Sequence, residues 1–414
     1  VESHSIVCKK YGITSISNFI GQDKTVFLRV DFNVPVDINH SIADDFRIKS
    51  SIQTIEFLLE QNATVIIVSH FGDPVTPSDK INLSFSNIID EISRILNCEI
   101  QLIRSQNLTE VASAVENFKS IKKCGDRQLL MLDNIRFFPE EISNSEDFAH
   151  KILETLKIDA YINDAFPVCH RRHMSVVAIP KIIKEKYAGF SLLHELSMIE
   201  QIIGHAFRSQ SIITAIIGGK KVKTKISLLQ NLAKKVQNII IVGGMANTFL
   251  KALGYNIGNS FYEHEMLDIA SQIMRQSKVL LPSDVICKSL NNEIKICAIN
   301  EDIDGEICDI GPETNKLIDR VISQSEFVIW NGPAGIFEDK RFAEGTKRIA
   351  QSLASNKCAT IVGGGDTVSA IDSNMRLKID HISNGGGAFI TLLEGDILPG
   401  ISALNIRSDI TLIK

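Results

Sequence analysis

A chain of 414 residues exceeds what one hydrophobic core usually supports, so two domains of roughly 200 residues each are expected. With 44% hydrophobic and 22% charged residues and only ten prolines, the composition is that of a chain that folds throughout, and it excludes a disordered one. A formal charge of −5 argues against a nucleic-acid partner, because counterion release at phosphates needs a dense Lys/Arg surface.

The start, Val1-Glu2-Ser3-His4, lacks a charged segment leading into an apolar one, and no run approaches about 18 consecutive apolar residues. No membrane contact and a cytoplasmic location are therefore expected. The eight cysteines show no CxxC pair and no short repeated spacing, which fits reduced thiols rather than a zinc site or a disulfide framework.

Along the chain, short β-branched runs alternate with longer segments of helical period, the pattern of βαβ units and a mainly parallel sheet. The first set is Thr25–Val30, Thr64–Val68, Gln128–Leu132 and Ala160–Ile162. Each run leads into polar residues: Asp31-Phe32-Asn33, Ser69-His70-Phe71-Gly72, Asp133-Asn134-Ile135-Arg136 and Asn163-Asp164-Ala165-Phe166. Lys181 to Arg208 then shows a helical pattern through Leu192, Leu193, Leu196, Ile199 and Ile202, and is read as an interdomain helix. The second set is Ile212–Ile217, Asn238–Val242, Phe327–Trp330 and Ala359–Val362. These lead into Gly218-Gly219-Lys220-Lys221, Gly243-Gly244-Met245, Asn331-Gly332-Pro333 and Gly363-Gly364-Gly365-Asp366-Thr367. Ligands of open α/β sheets bind at the carboxyl ends of strands. One half offers Arg, His and Asn there and the other Gly and Lys, which points to an anionic small molecule on one domain and a nucleotide on the other.

Glycines after strands let backbone N–H groups approach phosphate oxygens, and four clusters in one half (with Gly385 to Gly387) favour phosphate binding over plain turns. Neither GxxxxGK[ST] nor GxGxxG is present, so the nucleotide site belongs to another class, and a nicotinamide-dependent dehydrogenase is disfavoured. If a helix begins after Gly219, Lys221 and Lys225 share a face near its positive end, where an anion would relieve them; solvated surface lysines are the plain alternative. Asp366 suits a carboxylate facing a Mg²⁺ held mainly by nucleotide phosphates, or equally a helix N-cap. In the first half, Arg47, His70, Arg136, His170, Arg171, Arg172 and His173 are spread over four loops near Asp31 and Asn33. Guanidinium forks match phosphate and carboxylate bidentately.

These residues resemble one family. Arg29-Val-Asp-Phe-Asn-Val-Pro35, Leu132-Asp-Asn-Ile-Arg-Phe137, Asn163-Asp-Ala-Phe166, His170-Arg171, Gly218-Gly219 with Lys221-Val222, Trp330-Asn-Gly-Pro333, Gly363-Gly-Gly-Asp-Thr367 and Gly385-Gly-Gly-Ala388 are similar, in order, to the motifs of the phosphoglycerate kinases. The resemblance covers about residues 24 to 405. It implies reversible phosphoryl transfer between ATP/ADP and 3-phosphoglycerate/1,3-bisphosphoglycerate, with Mg²⁺ carried on the nucleotide, by a monomer that closes about a hinge.

By the same resemblance, Asp31, Phe32, Asn33, Arg47, His70, Phe71, Gly72, Asp73, Arg136, His170 and Arg171 form the substrate site. Gly218, Gly219, Lys221, Lys225, Asn331, Glu338, Gly364, Gly365, Asp366 and Thr367 form the nucleotide site, with Asp366 towards the metal. Arg47 and Lys221 would stabilise charge on the moving phosphoryl group. The expected architecture is two doubly wound α/β domains, each a mainly parallel six-stranded sheet flanked by helices. They are residues 1–186 and 187–395, with a tail 396–414 packing back on the first.

Two departures stand out. Asp73 replaces an arginine that in the family contacts the substrate phosphate; a carboxylate there would repel that phosphate unless it turns away or Arg172 compensates. Pro167 replaces a glycine and removes a backbone donor. A catalytically impaired nucleotide-binding paralogue is the alternative these departures raise.

Overall fold

The computed structural model describes residues 2–208 and 211–406. Strands β1 (Thr25–Arg29), β2 (Thr64–Val68), β3 (Glu99–Ile103), β4 (Gln128–Leu132), β5 (Ala160–Asn163) and β6 (Glu185–Ala188) form one sheet in the order β3-β4-β2-β1-β5-β6. Every pairing in it is parallel. The chain continues through β7 (Ile213–Ile217), β8 (Asn238–Ile241), β9 (Val279–Leu280), β10 (Asp284–Lys288), β11 (Ile294–Ala298), β12 (Glu306–Ile310), β13 (Phe327–Asn331), β14 (Ala359–Gly363) and β15 (His381–Ser383). Six of these make a second parallel sheet, β15-β14-β13-β7-β8-β9, and the other three an antiparallel sheet, β11-β10-β12.

The two parallel sheets agree with the doubly wound pattern expected. Their central strands are buried on both faces, so they read as continuous apolar runs: β1 and β7 are buried at every position. Phe32, Leu28, Ile67 and Phe85 join the core of the first sheet, and Trp330, Ile216, Val328 and Val362 that of the second. Each such side chain contributes roughly 1.5–3 kcal/mol by its burial.

The chain divides into two compact units, one comprising Val1–Ser197 and the segment that begins at Ile397, the other Met198–Asp396. The division falls inside the helix Phe190–Arg208, where the sequence suggested Lys186. Lys181–Ala188 is not the start of that helix. A short helix ends at Ile182 and edge strand β6 follows. The long helix begins where it does because Asp164, just past β5, accepts N–H bonds from Ser191 (2.8 Å) and Leu192 (3.4 Å). Gly189 is required beside it, since a Cβ there would lie 2.2 Å from the Asp164 carboxylate. Full burial raises the Asp164 carboxyl to about 7. In the returning segment, the helix Pro399–Leu404 is tied to the first unit: the Gly400 N–H donates to Cys169 O (2.8 Å), and Lys186 Nζ donates to Ala403 O (3.1 Å). The remainder of the expected tail, 407–414, lies outside the described residues.

In the second sheet the chain order runs outward in opposite directions from the β7/β13 pair, and the crevice past these strands is its topological switch point. The two backbones touch there. A Cβ on Gly218 would sit 2.3 Å from Pro333 O, and one on Gly332, whose φ is +103°, would sit 2.3 Å from Gly218 O. Gly332→Ala should therefore lower the unfolding free energy by about 2–4 kcal/mol through left-handed strain and backbone overlap together. A urea midpoint equal to wild type would show that the crossing is not as tight as described.

Candidate active site

In the first unit the loops past β1, β2, β4 and β5 converge. Arg29, the last residue of β1, is wholly buried; its Nε donates to Ser175 Oγ (2.8 Å), and its Nη1 donates to Val30 O. The same hydroxyl donates to Glu141 Oε1 (2.7 Å), and the Ser175 N–H donates to Glu141 Oε2 (2.8 Å). Burial raises the Glu141 carboxyl, and the Arg29 charge acts against that rise. Asp31 accepts from Arg47 Nη1 (2.9 Å), and its other oxygen lies 3.6 Å from His70 Nδ1. Arg47 also donates to Asn33 O (3.1 Å), and Asn33 Oδ1 accepts the Gly72 N–H (2.9 Å), which joins the β1 and β2 loops. Arg136 Nη1 donates to Gly72 O (2.7 Å) and to the Asp73 carboxylate.

Asp31, Asn33, Arg47, His70, Gly72 and Arg136 are thus brought together. Arg171 acts on His70 and His173 through its charge, and His170 joins the same field. Phe32 and Phe71 turn their side chains into the core, where Phe71 stacks on Phe85, so only their backbone faces the loops. The Asp73 carboxylate pairs with Arg136. Pro167 sits at the start of the turn Phe166–Val168, a position that makes no demand on its missing donor. Burial, then the neighbouring guanidiniums, push His70 well below the ordinary imidazole value and His173 to about 4. His170 is lowered by burial and by Arg171. The imidazoles are accordingly neutral at pH 7, and the positive potential belongs to the arginines. Arg29, Glu141 and Ser175 were not singled out by sequence. The only signal was Arg29 itself, a cation closing an apolar strand.

In the second unit a cleft of about 360 Å³ opens past β7, β8, β12 and β13. Its walls are Leu250, Val285, Ile307, Ala334 and Phe337; Gly219, Gly243 and Gly244 line one part, and Glu338 and Asp366 also face it. An apolar slot edged by glycine backbone suits a flat heteroaromatic ring with a phosphate tail. Asp309, buried in the lining, accepts N–H bonds from Gly345 and Ile310, and burial pushes its carboxyl to about 7. Of the expected nucleotide residues, Gly219, Glu338 and Asp366 line the cleft. Gly218, Lys225, Asn331 and Thr367 brace it from behind: Lys225 Nζ donates to Gly218 O (2.6 Å), Asn331 Oδ1 (2.6 Å) and Asn331 O (3.2 Å). Asn331 Nδ2 donates to Gly363 O (2.7 Å), and Thr367 Oγ1 accepts the Gly332 N–H (2.7 Å).

No helix begins after Gly219. A 3₁₀ turn covers Lys223–Lys225 and the α-helix starts only at Ile226, so Lys221 and Lys225 do not share a helical face. Glu263 accepts the Val222 and Lys223 N–H groups; Lys221 is exposed and Lys225 half-buried. At the other glycine cluster the N-cap is Gly364 (φ +104°), followed by Gly365, whose missing side chain leaves open space. Asp366 is therefore inside the first turn rather than at the cap. A single exposed carboxylate fits a Mg²⁺ bound mainly by phosphates, and no group of three or more metal-ligating side chains exists among the described residues.

The phosphoglycerate kinase family pattern matches residues 16–396. The chain is 41% identical to the phosphoglycerate kinase of Geobacter metallireducens, over 92% of this chain and 95% of the relative. It is 37% identical to a cytosolic phosphoglycerate kinase of Nicotiana tabacum, over 96% and 99%. Among solved structures, phosphoglycerate kinase from Coxiella burnetii superposes with a TM-score of 0.79 at 34% identity, covering 96% of this chain and 100% of the other. That from Pyrococcus horikoshii gives 0.78 at 26%, covering 95% and 99%.

Burial holds the Lys225 ammonium at about 8, although the nearby Asp366 charge pulls the other way. An anion arriving beside it raises that value, so Mg-ATP binding at pH 8 should take up as much as about half a proton, and affinity should fall as pH rises through 8. Calorimetry in buffers of different ionisation enthalpy measures the uptake. The same uptake in Lys225→Met would assign the proton elsewhere.

Proposed function

This chain belongs to the phosphoglycerate kinase family, a family of phosphotransferases, and we propose that its first unit holds 3-phosphoglycerate and its second the magnesium nucleotide. The reaction is reversible phosphoryl transfer between ATP and the carboxylate of 3-phosphoglycerate. What carries the placement is that the two units each gather groups suited to an anion at strand carboxyl ends, arginines in one and glycine backbone with lysines in the other.

In-line transfer asks for positioning and charge neutralisation rather than covalent help. Arg47 suits this because Asp31 and Asn33 O hold one of its terminal nitrogens, which fixes the plane of the guanidinium and leaves its other donors for substrate. Lys221, exposed and not gripped as Lys225 is, would follow the moving phosphoryl group. Lys225 keeps the switch-point loops in register for the phosphates. Glu338, at the exposed edge of the cleft, would accept ribose hydroxyl bonds. Asp366 would hold Mg²⁺, which when bound neutralises charge on the phosphates. Arg136, Arg171 and neutral His70 and His170 would receive the phosphoglycerate anion. We further infer a cytoplasmic monomer acting on small molecules, without a nucleic-acid or membrane partner, in glycolysis and gluconeogenesis; the acidic net charge and the cytosolic relative support this.

The test is ADP formation from Mg-ATP with and without 3-phosphoglycerate. Turnover dependent on 3-phosphoglycerate is expected, and nucleotide binding without turnover would favour the impaired paralogue. Arg47→Ala and Arg47→Lys should both lower kcat by about 10²–10³-fold while nucleotide affinity stays within a few fold. Equal loss of both would remove Arg47 from the transition state.

A further inference from the structure

We propose that Asp73 is a built-in competitor for the anionic substrate: its carboxylate occupies the Arg136 guanidinium, and phosphoglycerate must displace it to bind. This rests on the reading that the first unit holds phosphoglycerate.

The pair is asymmetric. The Arg136 side chain is 2% exposed and that of Asp73 is 76% exposed, so a hydrated carboxylate lies over a buried cation. Arg136 Nη1 is shared between Gly72 O and Asp73, while its Nε is buried with no hydrogen-bond partner among the described residues. A guanidinium with donor capacity left over, in the field of Arg171 and Arg29, is set up for more negative charge than Asp73 supplies.

Asp31 is the contrasting case. It is 5% exposed, engages Arg47 and lies against His70, and has no water to retreat into. Asp73 can rotate into solvent, where its charge is fully hydrated, and release Arg136 to an incoming phosphate or carboxylate. An ion pair with one hydrated partner is weak, so the barrier Asp73 sets is modest, about 3- to 10-fold in affinity. That is enough to keep site occupancy proportional to substrate at concentrations that would saturate an uncovered arginine, and to reject a monoanion too weak to displace a carboxylate.

Isothermal calorimetry of 3-phosphoglycerate binding without nucleotide, with KM for each substrate measured alongside, decides the matter on wild type, Asp73→Asn and Asp73→Ala. Both variants should bind 3-phosphoglycerate about 3- to 10-fold more tightly and show a lower KM for it, with KM for nucleotide unmoved. Inorganic sulfate should inhibit both variants more strongly than wild type. Agreement between Asn and Ala would assign the gain to the lost charge rather than to a new amide contact. Unchanged or weaker binding in the variants, with wild type turning over 3-phosphoglycerate, would overturn the competitor role alone. Absence of 3-phosphoglycerate binding and turnover in all three proteins would overturn both it and the site reading.

Discussion

An ion removed from water must find its compensation inside the protein, and both units are organised around cations in that position. In the first, Arg29 ends a central strand with no solvent exposure; Ser175 Oγ and Val30 O accept from its guanidinium, and the same hydroxyl donates to Glu141. In the second, the Lys225 ammonium is held by two backbone carbonyls and an amide oxygen rather than by a carboxylate. The two solutions have different consequences. A carboxylate partner would cancel the charge, whereas carbonyl dipoles satisfy the donors and leave the net charge available to a ligand. Lys225 therefore stays cationic towards the cleft, at the expense of a lowered affinity for its own proton.

The carbonyls that hold Lys225 are available because the chain crosses itself there. Gly218 and Gly332 approach until neither can carry a Cβ, which places Gly218 O and Asn331 O on the same side of the switch point. Thr367 and Asn331 then stitch the loop past β14 to the one past β13. The glycine-edged part of the cleft is thus a layer of backbone with a cation behind it. In the first unit the backbone also joins loops, Ile135 N–H to Ser69 O, but side chains add to it, Asn33 to Gly72 and Arg136 to Gly72, so that its surface depends in part on ion-pair geometry.

Strands buried on both faces announce themselves as continuous apolar runs, which is why Thr64–Val68 and Gln128–Leu132 were legible to the residue. Edge strands were not. β3 alternates exposed Glu99 and Gln101 with partly covered neighbours, β6 is Glu-Lys-Tyr-Ala, and the antiparallel sheet carries exposed Ile294 and Ile296, so their periodicity is diluted by solvent. At the site, residues whose chemistry is carried by side-chain type at a strand end, such as Asp31, His70 and Arg136, could be found by position. Glu141 could not, since nothing local distinguishes it from Glu140; only the fold buries one and leaves the other in reach of solvent. Glu263 is the same kind of residue, distant in sequence from the lysine loop whose backbone it fixes. The condition that a helix begins after Gly219 is not met for that reason: a local propensity argument contains no term for a glutamate about forty residues away.

The segment from Ile397 belongs with the first unit although it is made after the whole of the second: the Gly400 N–H donates to Cys169 O and the Ile406 N–H donates to Gly12 O, both far back in the chain. On the ribosome, the second unit has every one of its residues in hand before the first does. The first unit thus waits, with the surface around Cys169 and Val176 uncovered, until the segment from Ile397 has been made, so that the order of synthesis and the order of completion are opposite.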